Sequence, residues 1–146
     1  MKKLIKLLRK SPRVWFFALR ALFLSGYFRW KILHRPFSEL SPKIGTFGGE
    51  TSYNVQDEHL IRDVQFAVVG VCNRTPWESK CLVQALTAKK LLNRYKLPCT
   101  LYMGVAKDRE GSMIAHAWLR CGMIFVTGGR GHLYYAVTGQ YSDPES

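Results

Sequence analysis

The apolar positions of this chain change period along its length. Leu60, Val64, Ala67, Val68 and Val71 recur at helical spacing and predict a helix over 57–73. A second helix is predicted over 75–95, where Leu82, Ala85, Leu86 and Lys89 share a face widened by Leu91 and Leu92. Thr75–Pro76–Trp77–Glu78 fits a capping box, with proline at the first helical position. Ser79 offers an alternative cap, and both starts put Cys81 in the first two turns. Leu97–Pro98 stops the helix. From there the period falls to two. Leu101, Met103 and Val105 alternate with Thr100, Tyr102 and Gly104 in a strand over 99–105. The turn KDREG leads to a strand over 113–121, with Ile114, His116, Trp118 and Arg120 on one face. Gly122 turns the chain into a third strand over 123–127, and LYYAVTGQY supplies a last short one before a frayed SDPES tail. Helices followed by an antiparallel meander predict an α+β fold.

The first third reads differently. Residues 2–33 predict one or two helices broken at Pro12, with Ser11 as cap. Beyond Pro12 the apolar arc (Trp15, Phe16, Phe17, Leu19, Leu22, Phe23, Leu24) is far wider than a core-facing stripe. Residues 34–54 read as a connector rich in Pro and Gly, acting as a hinge or as a flap over a groove. Two segments follow: a basic helical segment with its connector over 1–54, either part of one compact unit or a docking arm, and a second domain over 55–146.

Charge sharpens that division. The chain of 146 residues carries a net +12. Ten of its 22 Lys and Arg, and none of its acids, fall within residues 1–38, so the remainder is nearly balanced. An apolar, basic helix suits core packing with a solvated basic face, a partner protein, or an anionic membrane surface. Nucleic acid is the weakest option and is not expected, because the bases are interleaved with bulky aliphatics and no reader motif is present. The 47% hydrophobic content excludes disorder. Arg20 interrupts the apolar run, which is short and lacks a clean small-residue cleavage site, so neither a spanning helix nor a cleaved signal is expected. Cys72, Cys81, Cys99 and Cys121 form no C-x-x-C pair, so no zinc site is expected. The expected setting is a reducing cytoplasm, with peripheral membrane association as the second setting.

Chemistry concentrates on Cys81 and His116. A thiol near a helix start has its thiolate stabilised, and an imidazole beside it completes a nucleophile–base pair for acyl transfer. Cys72, Cys99 and Cys121 lie in apolar stretches and read as core, as Cys81 alone also could; His132 lies in a Gly-rich loop and His59 at the surface.

The block CLVQALTAKKLLNRYKLPCTLYMGVAK…AHAWLRCG resembles the transglutaminase-like cysteine peptidases, and most closely the stand-alone leader peptidases of lasso-peptide biosynthesis. The matching features are Cys81–Leu82 opening a helix, Leu91–Leu92 near its end, LYMGV, Ala115–His116–Ala117–Trp118, Gly122 and Gly128–Gly129, across residues 57–141. The resemblance implies a papain-like core, with the Cys helix packed on a small antiparallel sheet that carries His116. It implies a Cys81 nucleophile, a His116 base and no cofactor. It also implies three partners: a precursor peptide, a small leader-recognition protein, and an asparagine-synthetase-like cyclase acting after cleavage. The family's aspartate, about a dozen residues past the histidine, has no counterpart in Phe125–Val126–Thr127–Gly128–Gly129. A backbone carbonyl or Thr127 orients the imidazole, or an acid such as Asp108 or Asp63 does. Two other readings keep the residues without the chemistry: a peptide-binding scaffold subunit, and a membrane-surface protein.

Overall fold

The computed structural model describes residues 2, 6, 9–54, 57–76 and 80–144. Helix α1 (Pro12–His34) starts with proline in its first turn after Ser11. Helix α2 spans Phe37–Ile44, and the two-residue strand β1 spans Thr46–Phe47. Helix α3 (Glu58–Cys72) is capped by Asp57, whose carboxylate accepts from the Leu60 N–H at 3.0 Å. Helix α4 spans Cys81–Asn93. Strands β2 (Cys99–Lys107), β3 (Met113–Cys121) and β4 (Ile124–Thr127) form the expected meander. A short 3₁₀ turn (His132–Tyr134) precedes β5 (Ala136–Ser142).

All five strands pair antiparallel in the order β1-β5-β2-β3-β4. The chain therefore returns from β4 past β3 and lays β5 against the free edge of β2. The fold is α+β, with helices on one face of the sheet. α4 lies at its centre and packs against α1, α3, β2, β3 and β4. Burial on every side explains its apolar surround: Val83, Ala85, Leu86, Ala88, Leu91 and Leu92 are all core. Val14, Phe17, Ala21 and Phe28 of α1 belong to this same core.

Three expectations change. The connector is partly ordered as α2 and β1, because Leu40 and Ile44 bury four residues apart and hold a helix around Pro42. Described helix in α4 begins at Cys81, not at Thr75, whose hydroxyl instead donates to the Cys72 carbonyl at the end of α3. Residues 77–79 of the capping box, with the Ser79 cap, lie outside the described residues. The C-terminal tail is anchored at Asp143. Its carboxylate takes the buried Lys89 ammonium, Asn93 Nδ2 at 2.5 Å and the Cys99 N–H at 2.8 Å.

Candidate active site

Cys81 is the first residue of α4, at the electropositive end of a 13-residue helix. It is half-buried, whereas Cys72, Cys99 and Cys121 are buried. Cys99 and Cys121 face each other across β2 and β3. Their shared hydrogen bond, followed by burial, pushes the Cys99 thiol well up, so it stays protonated and inert at neutral pH. Cys81 thus combines a helix start with access to solvent.

His116 sits in β3, directly opposite Gly104 of β2. Its Nε2 lies 2.7 Å from the carbonyl oxygen of Gly128. A carbonyl can only accept, so Nε2 carries the proton and donates, and Nδ1 is left as the basic nitrogen. Tyr135 (ring centroids 4.9 Å) and Trp118 (5.8 Å) flank the ring. Gly104 makes room for these rings, since a Cβ there would come within 3.0 Å of both Trp118 and Tyr135. The orienting group beside His116 is therefore a backbone carbonyl. Thr127 Oγ1 is buried without a hydrogen-bond partner among the described residues. Asp63 is held by Arg13 at 2.6 Å, and Asp108 caps its own turn through the Glu110 and Ser112 N–H groups, both at 2.9 Å.

Cys81 and His116 belong to α4 and β3, which pack against each other. The C-terminal end of α4 and the start of β2 are clamped together by Asp143. From that clamp, Cys81 lies about 18 Å away along the helix and Gly104 about 17 Å away along β2. Strand alternation then separates them. Ala117, Leu119 and Cys121 join the core beneath α4, which leaves His116, Trp118 and Arg120 on the alternate face. Among the described residues no hydrogen bond links the Cys81 thiol to the imidazole. No three His, Cys, Asp or Glu side chains among them gather closely enough to hold a metal ion.

The sequence model of the transglutaminase-like superfamily matches residues 27–139, most of the chain. The chain belongs to the transglutaminase-like superfamily. That superfamily includes cysteine peptidases and transglutaminases. No curated protein and no solved structure matches the chain significantly.

This transglutaminase-like chain carries a further polar network on the His116 face that its sequence does not announce. Arg120 is only 1% exposed. Its guanidinium donates to the carbonyls of Thr51 (2.7 Å), Gly122 (2.6 Å) and Ser52 (3.3 Å) and to Tyr102 Oη (3.1 Å). The Tyr53 ring covers it at 3.9 Å. Glu50 accepts from Tyr102 at 2.6 Å and from Tyr53 at 2.8 Å. Those hydrogen bonds, led by Tyr102, with Arg120 nearby, hold its carboxyl below the usual range. Thr51 and Thr100 hydroxyls meet at 2.6 Å beneath. Residues 49–53 are thus a strap pinned across the outer face of the sheet, beside the row of Tyr102, Trp118 and His116 rings. The one local signal was a charged residue, Arg120, placed by alternation in line with His116.

Proposed function

We propose that this chain is a cysteine peptidase that removes the leader from a ribosomally synthesised lasso-peptide precursor before macrolactam cyclisation. The observation that carries the reading is the fixed His116 tautomer: Gly128 holds Nε2–H and leaves Nδ1 basic, as a proton acceptor for a thiol must be. The half-buried helix-start thiol of Cys81 and the superfamily match support it. The Cys81 thiolate attacks the scissile carbonyl, and backbone N–H groups at the start of α4 stabilise the oxyanion. The imidazolium gives its proton to the leaving amine. His116 then activates a water that hydrolyses the thioester. This scheme requires a rearrangement that brings the Cys81 thiol to the His116 ring, since α4 packs on one face of β3 and the ring lies on the other. A small leader-recognition protein delivers the precursor, and an asparagine-synthetase-like cyclase closes the ring afterwards.

The test is cleavage of precursor peptide in the presence of the leader-recognition protein. Cys81→Ala and His116→Ala are each expected to lower turnover by at least ~10³-fold. Full activity in either variant ends this reading. A second reading, a peptide-binding subunit without catalysis, is favoured by the unjoined thiol and imidazole. Alkylation by iodoacetamide separates the two. A catalytic Cys81 reacts at pH 6–7 faster than an exposed model thiol, and a scaffold cysteine does not.

A further inference from the structure

Helix α1 has two apolar faces, and the core uses one. Val14, Phe17, Ala21 and Phe28 are buried against α3 and α4. The opposite side exposes Trp15, Phe16, Leu19, Phe23, Trp30 and Leu33, with Phe23 71% and Leu33 60% accessible. At 3.6 residues per turn these six fall in an arc of roughly 100°, running about 30 Å along the helix. No charged residue enters this arc. Arg29 borders one side, and Arg20 and Lys31 border the other. Aromatic rings in the middle with cations along the margins is the distribution that suits the boundary between acyl chains and headgroups.

A second observation lies on the Arg20–Lys31 margin. A cavity of about 760 Å³ between α1, α2 and α4 is lined by Arg20, Lys31, Lys43, Lys90 and Arg94, and by no carboxylate. Arg20 Nε is buried without a hydrogen-bond partner among the described residues. Residues 1–38 contain no acid at all. Lys89 and Asn93 also line it and are held by Asp143, which leaves the five other cations as a net positive hollow beside an exposed aromatic arc. No helix among the described residues is long and apolar enough to cross a membrane.

We infer that α1 lies flat on the anionic surface of a phospholipid bilayer, with its aromatic arc among the upper acyl chains and headgroup phosphates in the Arg20–Lys31–Lys43–Lys90–Arg94 basin. A protein partner fits less well. The arc runs uninterrupted along the helix, and a cationic margin without acids needs a continuous anionic surface to face it. This inference is independent of the peptidase reading, since neither face of α1 holds a group assigned to the chemistry.

The experiment is co-sedimentation of the full chain with phosphatidylcholine vesicles, with and without an equal share of phosphatidylglycerol. At about 50 mM salt the expected partition onto the anionic vesicles is at least ~tenfold stronger than onto neutral ones, and it falls at about 500 mM. Phe23→Asp, and separately Lys90→Glu with Arg94→Glu, each lower it by at least ~tenfold. Circular dichroism and an unchanged melting midpoint establish that the variants are folded. The charge pair lies off α1, so it tests the basin without touching the arc. No sedimentation with anionic vesicles at low salt overturns the inference, as does equal partition of wild type and both variants. A dimer seen by sedimentation velocity without lipid, and dissolved by Phe23→Asp, overturns it too by making the arc a contact between copies. Cleavage of a soluble precursor without vesicles stays unchanged in both variants.

Discussion

Gly128 serves His116 twice. Its carbonyl accepts the Nε2 proton at 2.7 Å, and its missing Cβ leaves space for the ring. A Cβ at this position would stand 2.4 Å from the Ala117 carbonyl oxygen and 3.2 Å from His116 Nε2, on a backbone with φ +66°. Gly128→Ala is therefore expected to cost about 2 kcal/mol in stability, from left-handed strain plus the clash. It should also lower peptide cleavage, measured beside a thermal melt. A variant that melts normally yet loses cleavage places the effect on the imidazole. Cys81 gives a second prediction at this scale. With three of four thiols buried, the native chain should titrate one cysteine with a thiol reagent, and Cys81→Ser should titrate none. Thiol position and strand alternation single out Cys81 and His116 in the sequence, and the structure puts the first at the start of α4 and the second in β3. The Gly128 carbonyl that meets His116 was legible only as one of several alternatives, because a backbone acceptor leaves no residue-type signature.

Among the elements, the strap over 49–53 depends on one buried guanidinium. Arg120 satisfies three carbonyls and a phenol at once, and nothing in the Gly- and Pro-rich sequence of 34–54 indicates where those carbonyls go. Arg120→Met keeps the apolar stem but orphans the Thr51 and Gly122 carbonyls. We expect a loss of about 2–3 kcal/mol by urea unfolding, together with faster proteolytic nicking within residues 48–54. An unchanged nicking rate would mean that the Thr51–Thr100 and Glu50–Tyr102 contacts hold the strap without Arg120. The periodic elements were the readable ones. α3 differs from its expected span by one residue at each end, since its five apolar positions fix a period and Asp57 marks its start. α2 was hidden by Pro42, whose presence argues against a helix; the burial of Leu40 and Ile44 overrides that local preference.

At the scale of the whole molecule, sequence reading recovered the α+β class and the β2–β3–β4 meander, because neighbouring strands joined by short turns pair locally. It did not recover the insertion of β5 between β1 and β2, or the anchoring of the tail on Lys89 through Asp143, which joins residues 54 apart. Such pairings are decided by which polar groups are left buried once the core has formed. The same network sets how stability responds to pH. Burial, then the hydrogen bond to Glu50, pushes the Tyr102 phenol up to about 12, from 10.0. The folded state keeps that proton longer than the unfolded chain, so the contribution is complete below pH 10 and is lost as pH climbs to about 12. Glu50 is shifted down from 4.5, chiefly by the Tyr102 hydrogen bond, so its contribution is complete above that pH and is lost as acid protonates it. One hydroxyl therefore shapes both limbs of the profile. Tyr102→Phe should flatten the alkaline fall between pH 10 and 12 by on the order of 2 kcal/mol. It should also weaken the acid limb, measured as urea-unfolding free energies at matched pH in variant and wild type. If only the alkaline limb changes, Tyr53 and Arg120 rather than Tyr102 hold the Glu50 carboxylate in its charged form.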